Sequence, residues 1–150
     1  MDSSFVVSLY VTDQHSTESR QRIMPAPRLW FTPLHNAEWT HALAQHVFRG
    51  KLSPAEVQQM HARLDDDKAV GRWLSVAMPE HAFDLCADLA RRYGPKLGVR
   101  TLDSLHVACA LELKAERFWT FDERQAKLAR VEGLKTTCFR IAECSERFRR

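Results

Sequence analysis

Two kinds of apolar periodicity divide the chain into segments. Short apolar runs rich in aromatic and β-branched residues, bounded by proline or charged residues, are typical of buried strands. They lie at residues 28–32, 72–78, 117–121 and 135–139. Longer segments in which apolar residues recur every three or four positions predict helices. These are residues 13–24, 33–50, 52–67, 79–94, 101–114 and 122–131. The apolar segment 3–11 fits either a helix or a strand.

Strands therefore alternate with helices along the chain. This order predicts an α/β fold with crossover connections, a mostly parallel sheet and helices on both faces. Ligands of such sheets bind beyond the carboxyl ends of the strands. At 150 residues the chain is expected to form one domain, residues 1–150.

The helix predicted over residues 52–67 has the clearest start signal. Ser53 is a favourable N-cap, Pro54 suits the first helical position, and Glu56 completes a capping box three residues after the serine. Gly50 and Gly94 are expected to end the helices that precede them.

Composition is that of an ordinary globular protein, with 45% hydrophobic and 27% charged residues. No apolar run reaches the roughly 18 residues of a membrane span, and the first residues lack the basic start of a signal peptide. A cytoplasmic protein without membrane association is therefore expected.

The four cysteines show no CxxC spacing and are predicted to be free thiols of a reducing compartment. They are Cys86, Cys109, Cys138 and Cys144.

Positive charge is concentrated in residues 91–100, which contain four basic residues and no acidic one: Arg91, Arg92, Lys96 and Arg100. The segment leads directly to Asp103, and the last five residues, "ERFRR", are also basic. These stretches are either solvated surface or sites of phosphate contact. Arg124 and Lys127 are further candidates for RNA contact, with an ordinary exposed helix face as the alternative.

Two aspartates stand where apolar elements begin or end. Asp122 follows the strand predicted over residues 117–121, and it could simply cap the next helix, with Gln125 completing a capping box. Asp103 lies in the first turn of its predicted helix, where a negative charge favours the helix dipole. Thr101 or Ser104 could cap that helix instead.

Two more acids occupy comparable positions. Glu38 is expected in the first turn of the helix predicted over residues 33–50, where Asn36 could serve as the cap and the glutamate as a dipole partner. Asp2 precedes the apolar segment 3–11 and by itself carries little information.

Together, the four acids suggest a metal site. Each begins or precedes a helix after a segment that can form a parallel strand, and a parallel sheet brings such positions to one edge. Carboxylates about 4 Å apart repel one another by several kcal/mol, so a cluster needs a cation. Oxygen ligands suit Mg²⁺ or Mn²⁺, and such ions can promote attack of water on a phosphodiester.

Four stretches in this order resemble the PIN-domain family, in particular VapC-type toxin ribonucleases of type II toxin–antitoxin pairs. They are "DSS", "LHNAEWTHAL", "TLDSLHVACA" and "FWTFDERQAKLA". The resemblance covers nearly the whole chain, and the last two stretches are its most specific parts. It implies a three-layer α/β/α fold around a parallel sheet.

The same resemblance implies a function and a site. The function is metal-dependent endonucleolytic cleavage of RNA, with Mg²⁺ or Mn²⁺ held by Asp2, Glu38, Asp103 and Asp122. The hydroxyl that often follows the first acid falls on Ser3 or Ser4. A cognate antitoxin protein and a homodimer are the implied protein partners, and the helices at 13–24 and 52–67 are candidate antitoxin surfaces.

The start of the chain departs from the family pattern. The family has a short apolar strand before its first acid, whereas only Met1 precedes Asp2 here, so the first strand is expected to be truncated. This leaves two further hypotheses. One is a catalytically impaired PIN-like domain that binds antitoxin or RNA without cleavage. The other is an α/β domain without nuclease activity, in which the four acids are only helix caps.

Overall fold

The computed structural model describes residues 1–23 and 29–138, in two compact units. Residues 2–80 form the N-terminal unit; Met1 and the described residues from His81 onward form the C-terminal unit. Of the sequence predictions, Met24, Arg28, Phe139, Cys144 and the basic segment 146–150 lie outside the described residues. No described helix is both long and apolar enough to cross a bilayer.

The N-terminal unit contains four helices and two short strands. They are α1 (Ser3–Tyr10), α2 (Ser16–Ile23), β1 (Leu29–Phe31), α3 (Pro33–Phe48), α4 (Pro54–Ala69) and β2 (Trp73–Ser75). The segment that fitted either a helix or a strand is thus helical. Its Phe5 and Val6 are fully buried, so apolar residues on adjacent positions of α1 both face protein.

The C-terminal unit contains three helices and two strands among its described residues. They are α5 (Ala82–Leu97), α6 (Thr101–Glu112), β3 (Arg117–Thr120), α7 (Glu123–Val131) and β4 (Lys135–Cys138). Its core includes the fully buried side chains of Leu89, Val107, Phe118 and Leu128.

Strand pairing is parallel in both units, as the alternating pattern predicted. In the N-terminal unit β1 pairs with β2, with Leu29 opposite Trp73. In the C-terminal unit β3 pairs with β4, with Arg117 opposite Lys135. Each strand has only three or four residues, so the predicted strand over 72–78 is longer than the strand observed.

Helix α5 corrects the prediction for residues 91–100. The helix does not end at Gly94 but continues through Pro95 to Leu97, so most of the basic segment is helical. Gly98 is the residue that ends it, with a φ of 61° that an L side chain rarely adopts. Proline lacks an N–H, so one helical hydrogen bond is lost at Pro95 without breaking the helix.

Helix α4 begins as its sequence predicted. Ser53 is the N-cap, Pro54 is the first helical residue, and the capping box with Glu56 is complete. The Glu56 carboxylate accepts hydrogen bonds from the Ser53 backbone N–H, at 2.7 Å, and from the Ser53 hydroxyl, at 2.8 Å. These two bonds lower the pKa of Glu56 below its ordinary value of 4.5.

The capping box makes part of the protein's folding stability dependent on pH. Since the folded pKa is lowered, the contribution is present above the ordinary pKa and is lost as the pH falls through the lowered value. We expect the thermal midpoint of the parent to fall more steeply from about pH 5 to about pH 3 than that of Glu56→Gln. Glu80→Gln, at an exposed position outside any helix, is the control and should keep the parent's slope. Equal slopes for the parent and Glu56→Gln would contradict this role for the box.

Aromatic side chains form much of the core of the N-terminal unit. Trp39 is fully buried, packs edge-on against Tyr10 with ring centroids 5.0 Å apart, and donates its indole N–H to His61 Nδ1 at 3.2 Å. Trp73 donates to the Tyr10 hydroxyl at 2.7 Å. Trp39 and Trp73 are thus core residues, whereas Trp30 and Trp119 are partly exposed.

Two free thiols lie buried on adjacent helices of the C-terminal unit. Cys86 on α5 approaches the Thr101 carbonyl oxygen, with its Sγ at 3.5 Å, and Cys109 lies on α6. Burial raises the pKa of both thiols, and for Cys109, where the neighbouring Cys86 adds to the effect, the pKa rises to about 11. The prediction of free core thiols is confirmed for these two cysteines.

Candidate active site

The first acid, Asp2, is the N-cap of α1. Its Oδ1 accepts the backbone N–H of Phe5 at 3.1 Å and the hydroxyl of Ser4 at 2.8 Å, and the residue is only 8% exposed. Both donors come from the first turn of the helix. The geometry therefore fixes one carboxylate oxygen at the start of α1 and satisfies an N–H group that the helix itself leaves unpaired.

Glu38 on α3 is hydrogen-bonded to the first turn of α1. The Ser3 hydroxyl donates to Glu38 Oε2 at 2.6 Å and so joins α1 to α3. Ser3 follows Asp2 in the chain, so Glu38 is hydrogen-bonded to the residue next to the first predicted acid. The sequence left open which hydroxyl assists the acids. In the structure both do, because Ser3 donates to Glu38 and Ser4 donates to Asp2.

The start of α3 corrects the sequence prediction for Glu38. The N-cap is Thr32, not Asn36, and the capping box is completed by His35. Helix α3 then begins at Pro33, which places Glu38 in its second turn and not in the first. The glutamate therefore has no part in capping the helix on which it lies.

Asp103 and Asp122, here called the second acid pair, both lie in the C-terminal unit. Asp103 is the third residue of α6, and its Oδ2 accepts the Arg100 backbone N–H at 3.3 Å, so neither Thr101 nor Ser104 caps this helix. Asp122 is the N-cap of α7, which is the structural alternative that its sequence position left open: its Oδ1 accepts the N–H groups of Arg124, at 2.7 Å, and Gln125, at 3.1 Å.

Gln125 joins these two acids, a role that the sequence did not reveal. It does not return a side-chain bond to Asp122, as the predicted capping box requires. Its Nε2 donates instead to the main-chain oxygen of Asp103 at 3.1 Å. A signal was present in the sequence, since a glutamine stands on the apolar side of α7 with Leu128 and Ala129, and all three residues are buried.

An arginine neutralises each acid of the second pair. Arg100 Nε lies 3.0 Å from Asp103 Oδ2, and Arg124 Nη2 lies 3.6 Å from Asp122 Oδ2. The arginine side chains are 72% and 51% exposed, so these ion pairs stabilise the fold little. Burial alone would raise the pKa of Asp122, but the N–H groups of Gln125 and Arg124 and the charge of Arg124 outweigh it and lower that pKa.

The other predicted RNA contacts lie on α5. Arg92 is held by Asp88, at 2.6 Å, and by Glu132, the C-cap of α7, at 2.7 Å. Arg91 lies 3.8 Å from Asp88 with a side chain 72% exposed, and Lys96 is exposed in the last turn of the helix. Arg92 thus has a structural role in linking two helices, and RNA contact by these residues stays a prediction.

The hydrogen bonds of one intervening residue in each unit therefore relate the acids two by two. Ser3 links the start of α1, which Asp2 caps, to Glu38, and Gln125 links the main chain of Asp103 to Asp122. Within residues 1–23 and 29–138, no three or more His, Cys, Asp and Glu side chains are grouped so as to hold a metal ion. The convergence of all four acids on one metal site stays a prediction.

Helices that alternate with short parallel strands and carry acids in their first turns place the chain in the α/β class. Comparison with known families gives the particular family: the model of the PIN domain matches residues 1–131. The chain belongs to the PIN domain family, whose members have a three-layer α/β/α fold and are generally nucleases. No curated protein matches the chain.

Proposed function

We propose that this chain is a Mg²⁺- or Mn²⁺-dependent endoribonuclease and acts as the VapC-type toxin of a toxin–antitoxin pair. It would hydrolyse phosphodiester bonds of RNA within the strand. The family membership supports nuclease chemistry in general. The finer proposal is supported by the acid pairs and, above all, by one residue, Glu38.

Glu38 is the acid that helix capping cannot explain. Asp2, Asp103 and Asp122 all accept backbone N–H groups at helix starts, so each has a structural role. Glu38 lies in the second turn of a helix that is capped by other residues, and it is held by Ser3 from α1 at 2.6 Å. A partly buried carboxylate that does not cap its own helix is a candidate ligand for a cation, which supports a metal site here.

The donor chemistry of the acid pairs fits a hard divalent cation. Mg²⁺ is commonly held by one or two carboxylates, with water and substrate phosphate completing its coordination. Asp2, Glu38, Asp103 and Asp122 would hold the metal, either directly or through water. A bound Mg²⁺ or Mn²⁺ supplies neutralisation of phosphate charge and a water of lowered pKa.

The chain's own residues have separate roles in this proposal. The Ser3 hydroxyl orients the Glu38 carboxylate by donating a hydrogen bond to its Oε2. Arg91 and Lys96, both exposed on α5, would attract the RNA backbone, which makes RNA binding strongly dependent on salt.

Protein partners follow from the toxin assignment. We propose a cognate antitoxin and a homodimer, with α2 and α4 as antitoxin surfaces. Helix α4 offers accessible surface, since Leu64 is the one residue of the helix that is buried.

A second candidate function is a PIN domain that binds antitoxin or RNA without cleaving it. The arginines support this alternative, because Arg100 and Arg124 already balance the charges of Asp103 and Asp122 without a metal. A chain of this kind would bind RNA through its basic residues and would not need a divalent ion.

Cleavage of a mixed RNA pool with Mn²⁺, with and without EDTA, tests the proposal. We expect the parent chain to cut RNA, EDTA to stop cutting, and a DNA pool of the same sequences to stay intact. Gel-shift binding without cleavage would favour the second candidate. Neither binding nor cleavage would favour a domain in which the acids serve the fold alone.

A further inference from the structure

Gln125 is a buried polar residue whose bonds lead to both acids of the second pair. Its side chain is fully buried. Its Nε2 donates to the Asp103 main-chain oxygen, and its backbone N–H donates to Asp122 Oδ1, both at 3.1 Å. One residue therefore connects the first turn of α7 with the first turn of α6, across 22 positions of sequence.

Stability does not explain why a glutamine occupies this position. Its Oε1 is buried without a hydrogen-bond partner in the described structure, and so is the Oγ of Ser104, the residue after Asp103. An unpartnered buried acceptor destabilises the folded state. The main-chain oxygen of Asp103 belongs to helix α6, where it can accept a helical hydrogen bond without Gln125. An apolar side chain of similar length at position 125 would therefore remove the unpartnered Oε1 and leave the hydrogen bonds of α6 in place.

We propose that Gln125 is a positioning residue that sets the spacing between Asp103 and Asp122 for the divalent cation. The inference rests on the proposed metal site and extends it to a residue outside the set of acids. The Nε2 bond holds the Asp103 turn against the start of α7, where Asp122 is fixed by two backbone N–H groups. Partners that orient metal ligands affect metal affinity strongly even when they do not touch the metal.

The test compares Gln125→Met with Leu128→Met, a volume-conserving change at a fully buried position of the same helix. Mn²⁺ binding is measured by the loss of the free-ion EPR signal, and thermal unfolding is measured without metal. We expect Gln125→Met to keep the parent's midpoint and to bind Mn²⁺ about 10- to 100-fold more weakly. Leu128→Met should bind it as the parent does. Equal Mn²⁺ affinity in Gln125→Met and the parent would overturn the proposal and leave the metal site standing.

Hydrogen exchange of the metal-free protein separates failure of the positioning from failure of the site. Loss of the Nε2 bond should speed exchange about 5- to 10-fold at the N–H groups of Arg124 and Gln125, which bind Asp122, while Val107 and Leu128 in the core stay unchanged. If the parent protein binds no Mn²⁺, the proposed metal site is wrong. The spacing between Asp103 and Asp122 then cannot be explained by a bound cation. Unchanged exchange would show that Gln125 does not position these turns, whatever the metal result.

Discussion

Asp103→Asn is expected to lower Mn²⁺-dependent RNA cleavage about 1000-fold while the protein remains folded. The substitution removes a negative charge from the proposed metal site, and loss of one charge-stabilising group at a reaction centre costs about 10²- to 10³-fold in rate. The fold should survive because an asparagine oxygen can still accept the Arg100 N–H that Asp103 accepts at 3.3 Å. The measurement is the rate of cleavage of a labelled RNA under single-turnover conditions.

Glu112→Gln is the matched control for this prediction. It removes one negative charge from the same helix, at an exposed position at the helix end. Cleavage should remain within a factor of about two of the parent, because an exposed charge far along the helix is screened by solvent. Cleavage by Asp103→Asn at a tenth of the parent rate or more, with the thermal midpoint unchanged, would exclude Asp103 from the metal site.

Trp39→Ala is expected to cost about 3–5 kcal/mol in the free energy of unfolding, the largest effect on stability that we anticipate. The side chain is fully buried and packs on Tyr10, and its indole N–H is bonded to His61. Truncation therefore leaves a cavity and removes a hydrogen bond at once. Urea unfolding, with the midpoint and slope compared between variant and parent, measures the loss.

Two further substitutions divide this loss into its causes. Trp39→Phe keeps most of the ring volume but removes the indole donor, and we expect it to cost about 1–2 kcal/mol. Trp30→Ala changes the same residue type at a partly exposed position of the same unit and should cost less than half of what Trp39→Ala does. Similar losses for the two alanine variants would show that burial of Trp39 does not govern the stability of this unit.

The sequence predicted the elements better than their ends. Local signals placed the start of α4 at Ser53 correctly, because a capping box depends on a few adjacent residues. The predicted end of α5 at Gly94 was wrong, because a glycine by itself is only a weak helix breaker. The residue with left-handed backbone that ends the helix is Gly98. Segment 3–11 was ambiguous because apolar residues at nearly every position fit a buried helix and a buried strand equally well.

The candidate site shows the same limit at the level of single bonds. The sequence located Asp103 and Asp122 because acids favour the first turn of a helix, which is a local preference. It could not show that both Ser3 and Ser4 bond to acids, since the partner of Ser3 is Glu38, 35 positions away. It also assigned Gln125 to a capping box, because a glutamine three residues after a cap looks the same whether it bonds locally or to another helix.

The buried thiols of α5 and α6 give the C-terminal unit its own reporters of motion. A thiol reacts as its thiolate, so the raised pKa values of Cys86 and Cys109 and the burial of both residues make them slow to react in the closed state. Their labelling by a disulfide reagent then proceeds through openings of this helix pair, and its rate reports the free energy of those openings. With Cys138 and Cys144 replaced by serine, the labelling rate of Cys86 and Cys109 would measure how often the helix that carries Asp103 opens. No cysteine would have to be introduced for this measurement.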